Sequence, residues 1–255
     1  MSSTLSPATA ALAAIVFVAF VVEAAVGFGA TVITVTLAAQ FLPLDATLAS
    51  FIPLNLALSI VIVSRNLRFV DWRLLLRFVL PLAAVGLAAG LALFKLRSTE
   101  ALRLAFALFV VALSSVELLR ATRAAAEPPP AARTPLVVVN VILGGFIHGL
   151  FGTGGPMLVW ACGRMLGDKS RFRATLAVVW MVLNSALVIS YARLGTLGRE
   201  SAERSAFLVP SLLLALVVGE RLHRRLEGRR FLLALWLLLL AAGLALAVRS
   251  LRAIL

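Results

Sequence analysis

Two short runs break the apolar pattern of this chain with residue types suited to anion binding. They are Gly27-Phe28-Gly29-Ala30-Thr31 and Gly149-Leu150-Phe151-Gly152-Thr153-Gly154-Gly155-Pro156. A helix restarting after each run begins near Ala30 and near Gly154, and its first N–H groups have no acceptor within the helix. Together with the positive end of the helix dipole, those groups make an anion site that needs no cationic side chain. The hydroxyls of Thr31 and Thr153 are further donors. The candidate substrate contacts in the breaks are therefore Gly27, Phe28, Gly29, Ala30 and Thr31, with Gly152, Thr153, Gly154 and Gly155 opposite. The competing role for these glycines is close helix packing through small residues.

Four polar residues stand in otherwise apolar surroundings. Asn55 and Asn184 lie in the middle of apolar runs. A buried amide there must find a partner, either a substrate or a neighbouring helix. Glu23 precedes the first break by one helical turn, and His148 directly precedes Gly149. Ionisable groups at membrane depth are costly and mark function. A histidine can bind an anion when protonated or relay a proton, and a glutamate can carry a coupling proton. Glu23 and His148 are thus candidate coupling residues, and His148 is also a candidate substrate contact. Their alternative is a structural ion pair, or a histidine bonded to backbone. His223, within Arg221-Leu222-His223-Arg224-Arg225, reads as a solvated loop residue. Glu117 and Glu220 read as residues near span ends that reach to water, and Cys162 as a small apolar packer.

These residues sit in a chain of 255 residues that is 62% apolar and 14% charged, with a mean hydropathy of +1.06. Soluble domains are about 45–50% apolar and about 25% charged. The composition is that of an integral membrane protein, and it excludes a soluble enzyme, a disordered chain and a disulfide scaffold. A net charge of +13 would suggest nucleic acid in a soluble protein. Here the basic residues lie between apolar runs, where they set topology and meet anionic lipid, so no nucleic-acid partner is expected. No Lys or Arg precedes Arg65, so the start lacks the basic region of a cleavable signal and is read as mature protein.

A helix needs about 20 residues to cross the hydrocarbon core. Simple spans fall near 46–64, 74–94, 101–120, 174–192, 205–221 and 231–249. Residues 8–42, whose only charge is Glu23, and 134–166, uncharged as far as Gly163 apart from His148, are too long for one span and too short for two. Each carries a glycine break in its middle, and backbone freed at membrane depth is tolerated only against protein or a wet cavity. Each is read as a pair of half-helices, either a re-entrant hairpin or a broken helix. A polar, proline-rich linker over 125–135 separates a first repeat, 1–124, from a second, 136–255.

The two halves resemble each other. Phe28-Gly29 recurs as Phe151-Gly152 and Asp45 as Asp168, 123 positions on. Ala46-Thr47-Leu48-Ala49 recurs as Ala174-Thr175-Leu176-Ala177 at an offset of 128, and Asn55, Pro81 and Gly90 recur as Asn184, Pro210 and Gly219 at an offset of 129. The drift places an insertion in the basic run Lys169 to Arg173. If each broken stretch enters and leaves on one side, sixteen of the 24 Lys and Arg collect on one face and eight on the other. If each crosses once, they divide evenly. The first arrangement satisfies the positive-inside rule, puts both termini outside, and makes the halves antiparallel. The expected fold is an all-α polytopic membrane protein of two inverted repeats, each a glycine-broken helix pair plus about three transmembrane helices.

Gly27-Phe28-Gly29-Ala30, then Asp45-Ala46-Thr47-Leu48-Ala49, Asn55, and Val70-Asp71-Trp72-Arg73, together with the second run Gly149 to Pro156, resemble the sulfite exporter TauE/SafE family of bacterial membrane transporters. The resemblance covers most of both halves. It implies an inner-membrane carrier for small sulfur-containing or carboxylate anions such as sulfite, sulfoacetate or another organosulfonate. The partners expected are such an anion, the lipid bilayer and protons as coupling ion; no cofactor and no metal is expected. An anion channel and a membrane-embedded enzyme are the alternatives. Against the enzyme, the chain has no G-x-S-x-G, no H-E-x-x-H and no cluster of ligand-type residues. It also lacks a phosphate-binding loop of the G-x-x-x-x-G-K type, so any drive comes from an ion gradient or from the substrate itself.

Overall fold

The computed structural model describes residues 7–96, 99–122, 134–225 and 229–254, and all regular structure among them is helical. The proline-rich linker expected over 125–135 falls almost wholly outside the described residues. Among the described residues, seven segments are long and apolar enough to cross a membrane: Pro7–Val26, Leu44–Phe69, Trp72–Phe94, Glu100–Leu119, Ser170–Arg193, Arg199–Leu222 and Trp236–Ala253. Six of them contain or overlap the six simple spans read from the sequence. Val85, Leu213, Leu214 and Leu237 are more than half exposed, a surface suited to lipid rather than water. The chain is an all-helical, multi-pass membrane protein.

The broken stretches are not equal halves. In the first, α1 (Pro7–Val26) is 20 residues long and α2 (Ala30–Ala38) is 9. In the second, α7 (Thr134–Phe151) has 18 residues and α8 (Gly155–Met165) has 11. At 1.5 Å per residue the long arms measure about 30 and 27 Å, and the short arms about 14 and 17 Å. The glycines act where the chain reverses. Gly27 (φ 97°), Gly29 (φ 110°) and Gly152 (φ 65°) adopt left-handed backbone, which a side chain disfavours. The short arms fold back on the long ones, and Gly154 and Leu158 both lie against Gly144.

The other helices are α3 (Leu44–Asn66), α4 (Trp72–Leu74), α5 (Leu80–Leu96), α6 (Thr99–Thr122), α9 (Lys169–Arg193), α10 (Arg199–Arg225) and α11 (Arg229–Ile254). A π-helical turn over Leu75–Val79 joins α4 to α5 just before Pro81, which has no N–H for the helical ladder. Asp71 and Asp168 accept from the N–H groups of Leu74 and Arg171, which starts α4 and α9. Lys169 to Arg173 is therefore the first turn of α9 and not an inserted loop. The span expected at 205–221 is likewise part of a longer helix, Arg199–Arg225.

Long helices pair across the two halves: α1 with α10, α7 with α5, α3 with α9, and α6 with α11. Exchanging the halves reproduces the same set of pairs. The α5–α7 contact is made of interdigitated glycines. A Cβ on Gly86 or Gly90 would lie 1.9 Å from the Ile142 carbonyl oxygen or 2.2 Å from that of Phe146. On Gly145 or Gly149 it would lie 2.0 Å from the Ala83 oxygen or 2.6 Å from that of Leu87. Such close backbone approach is what small residues at four-residue spacing permit. Gly149, read from the sequence as part of the break, belongs to this packing seam. Gly219 of α10 does the same against Ala24 and Val21 of α1.

The structural register of the two halves differs from the sequence match. Val26 and Phe151 end the long arms, Ala30 and Gly155 begin the short ones, and Pro43 and Asp168 precede α3 and α9. Each pair is 125 positions apart, not 123. Asp45 accordingly sits in the first turn of α3 and does not cap it, whereas Asp168 is a cap. The same offset makes Gly27 equivalent to Gly152, Gly29 to Gly154, and Glu23 to His148.

Candidate anion site

Both breaks face one small buried cavity. It is lined by Glu23, Phe28, Gly29, Thr31 and Asn55 from the first half and by His148, Gly152, Thr153, Gly154, Gly155, Trp180 and Asn184 from the second. Of the expected site residues, Gly27 and Ala30 stand just behind the wall. The room available to the centre of a water molecule is about 20 Å³. That suffices for one water, since about 10–15 Å³ is needed, and not for a sulfonate.

Neither helix N-terminus is left bare. The N–H of Ala30, at the start of α2, donates to Glu23 Oε2 at 3.0 Å. The N–H of Gly154, which precedes α8, donates to His148 Nδ1 at 3.4 Å. The sequence reading had these donors free for an anion. The equivalent residues Glu23 and His148 instead supply internal acceptors, a carboxyl on one side and an imidazole on the other. Because a backbone N–H can only donate, Nδ1 of His148 is the unprotonated nitrogen and Nε2 carries the hydrogen. Nε2 lies 3.2 Å from Asn184 Oδ1 and donates to it.

The two asparagines are nearly fully buried, at 3% and 1% exposure. Asn55 Nδ2 donates to Thr31 Oγ1 at 3.1 Å, so Thr31 is committed first to the protein. The Asn55 amide also interacts with the Glu23 carboxyl. Each asparagine keeps one atom without a partner: Oδ1 of Asn55, an acceptor, and Nδ2 of Asn184, a donor. Buried polar atoms of this kind are uncommon and costly, and these two belong to residues lining the same cavity.

The sequence reading missed Trp180. Its indole N–H donates to the Gly27 carbonyl at 2.9 Å, and its ring stacks on His148 with centroids 5.8 Å apart. It thereby ties the tip of the first break to the second half. The available signal was its place one helical turn before Asn184, on the same face of α9, matching Phe51 before Asn55. Arg173 was also under-read. It is buried against Gly27 and pairs with Glu220 at 3.5 Å, so Glu220 is half of an α9–α10 ion pair and not a solitary residue reaching for water. Glu117 lines two side cavities, one of which it shares with Phe28 and Arg164. Cys162 is fully buried within α8. The His223 side chain lies outside the described part of the structure.

Paired long helices around two hairpins whose tips meet at a buried polar cavity define a membrane transport protein. The family comparison agrees. Residues 12–246 match the model of the sulfite exporter TauE/SafE family, and the chain belongs to that family of membrane transporters, which are not enzymes. It is 28% identical over 199 residues to a protein of Cupriavidus necator described as "probable sulfite/organosulfonate exporter TauE", covering 76% of this chain and 75% of that one. It is 31% identical over 103 residues to a Comamonas testosteroni protein described as "probable inner membrane transporter protein TsaS", covering 40% of this chain and 43% of the relative. No solved structure matches the chain.

Proposed function

We propose that this protein is a secondary carrier of the bacterial inner membrane for a small sulfur oxyanion or organosulfonate, held between the start of α2 and the start of α8. The observation that carries this reading is the meeting of both glycine breaks at one buried cavity, where two helices begin with no charged residue in their first turns and two asparagines each keep an unpartnered atom. The C. necator relative supports the choice of substrate class. The cavity as it stands, with about 20 Å³ to spare, is too small for the anion. Phe28 separates it from a side cavity of about 290 Å³ that contains Arg164, which offers an approach once the Phe28 ring moves. The exchangeable pairing of the two halves supports an inverted repeat, and the uneven distribution of basic residues supports periplasmic termini. Protonation of Glu23 or His148 would remove repulsion or add attraction for the anion, which couples proton and substrate.

The test is flux in proteoliposomes of the purified full chain. A carrier gives saturable uptake of labelled sulfite or sulfoacetate that is accelerated by the same anion inside. A steady, non-saturating conductance would make the protein a channel, and no flux of any sulfur oxyanion would overturn the substrate class.

A further inference from the structure

The cavity is chemically polarised, and its polarity is a statement about substrate. On the second-half side it offers donors. Asn184 Nδ2 has no partner, because Asn184 Oδ1 is already engaged by His148 Nε2. The start of α8 lies alongside, with Gly154 and Gly155 in the wall. On the first-half side, where α2 begins, the unpartnered side-chain atom is instead an acceptor. Asn55 Oδ1 has no partner, because Asn55 donates through Nδ2 to Thr31. The Glu23 carboxyl stands beside it, already accepting from Ala30. A bare oxyanion carries acceptors only. It can satisfy Asn184 and would leave Asn55 Oδ1 buried and unpaired, next to a carboxyl that repels it.

We infer that the preferred substrate carries a singly charged oxyanion group together with a hydrogen-bond donor, with its oxyanion end toward Asn184 and the start of α8 and its donor end toward Asn55 and Glu23. Hydroxy- and amino-sulfonates have this chemistry, as does a singly protonated oxyanion; fully ionised dianions do not. The inference rests on the reading of this cavity as the anion site. It makes Asn55 a specificity-determining residue, whereas Asn184 serves any oxyanion.

Three compounds of the same length isolate the donor. Propane-1-sulfonate, 2-hydroxyethanesulfonate and 2-aminoethanesulfonate each extend three non-hydrogen atoms from sulfur and end in methyl, hydroxyl and ammonium. Binding is measured as the concentration of each that half-maximally stabilises the purified full chain in detergent. The hydroxyl and ammonium compounds should bind about tenfold more tightly than propane-1-sulfonate, the ratio expected when a buried acceptor is met or left empty. Asn55→Leu should collapse that ratio toward one, and if the variant does not fold the wild-type ratio decides alone. Equal or tighter binding of propane-1-sulfonate by the wild type would overturn this inference and leave the anion site standing, with Asn55 Oδ1 met by a proton on Glu23. Failure of all three to bind would overturn the anion reading of the cavity and this inference with it.

Discussion

Two glycine-to-alanine substitutions ten residues apart should fail in opposite ways. At Gly145 a Cβ would stand 2.0 Å from the Ala83 carbonyl oxygen and 2.8 Å from its carbon, both backbone atoms that cannot swing aside. Ordinary contact begins near 3.4 Å, so α5 and α7 must part by about 1.4 Å. A gap of about 0.5–1 Å already forfeits a quarter to a half of the dispersion energy of the atoms it separates, and Gly86, Gly90 and Gly149 share this seam. Helix association in lipid depends on such packing more than on hydrophobic burial. Overpacking of this kind costs about 1–3 kcal/mol, which lowers the melting temperature by roughly 5 °C for a chain of this size. At Gly155 a Cβ meets only Phe28, at 3.5 and 3.7 Å, which is ordinary contact. Gly155→Ala should melt like the wild type or slightly above it, since alanine favours the helix by about 1 kcal/mol over glycine. It also adds a methyl group to the wall of a cavity with about 20 Å³ to spare, and sulfonate affinity should fall about tenfold. The assays are thermal unfolding in detergent and sulfonate binding on the same preparations. Wild-type melting of Gly145→Ala would refute the interdigitated seam. Unchanged binding by a folded Gly155→Ala would refute the cavity as the anion position. Leucine at Gly154 is a poor test of the site, because its Cβ would lie 1.9 Å from the Gly144 carbonyl oxygen and the hairpin itself would give way.

Substrate affinity measured from about pH 5 to 8, the range around an ordinary histidine, should rise as pH falls. Glu23→Gln should flatten the curve if Glu23 takes the proton; His148→Gln should flatten it and weaken binding at low pH if the histidine does. Parallel curves for all three proteins would make both residues structural. Trp180→Phe keeps a ring to stack on His148 and removes the N–H that satisfies the Gly27 carbonyl. The loss of about 1–3 kcal/mol for an unpaired buried carbonyl should appear as a lower melting temperature; an unchanged melting temperature would mean the first tip does not depend on the indole. For topology, cysteines are introduced singly on a Cys162→Ser background, and an impermeant reagent applied to whole cells should reach position 2 and not position 225. The reverse pattern would sink the re-entrant arrangement and the orientation drawn from the basic residues.

Composition alone determined that this is an integral membrane protein, because 62% apolar residues leave too little polar surface for water. The spans were legible for a related reason. A lipid-crossing helix must keep its apolar character for its whole length, so Leu44–Phe69 or Trp72–Phe94 is visible without any partner. The glycine breaks, Glu23, His148 and the two asparagines were legible because a polar or flexible residue at that depth is costly and so stands out. What each of them touches was not. The equivalence of Glu23 and His148 is displaced by two positions from the Phe-Gly match, and only the ends of the helices reveal it. Gly149 and Gly154 are alike in sequence, yet one packs against α5 and the other turns the chain beside Gly144. Trp180 looked like one more apolar residue until the fold carried Gly27, 153 positions away, to its indole N–H. Arg173 passed for a loop charge until burial paired it with Glu220. Local cost is written in the residue type itself. Which donor meets which acceptor depends on contacts between residues far apart in the chain, and only the packed tertiary structure decides them.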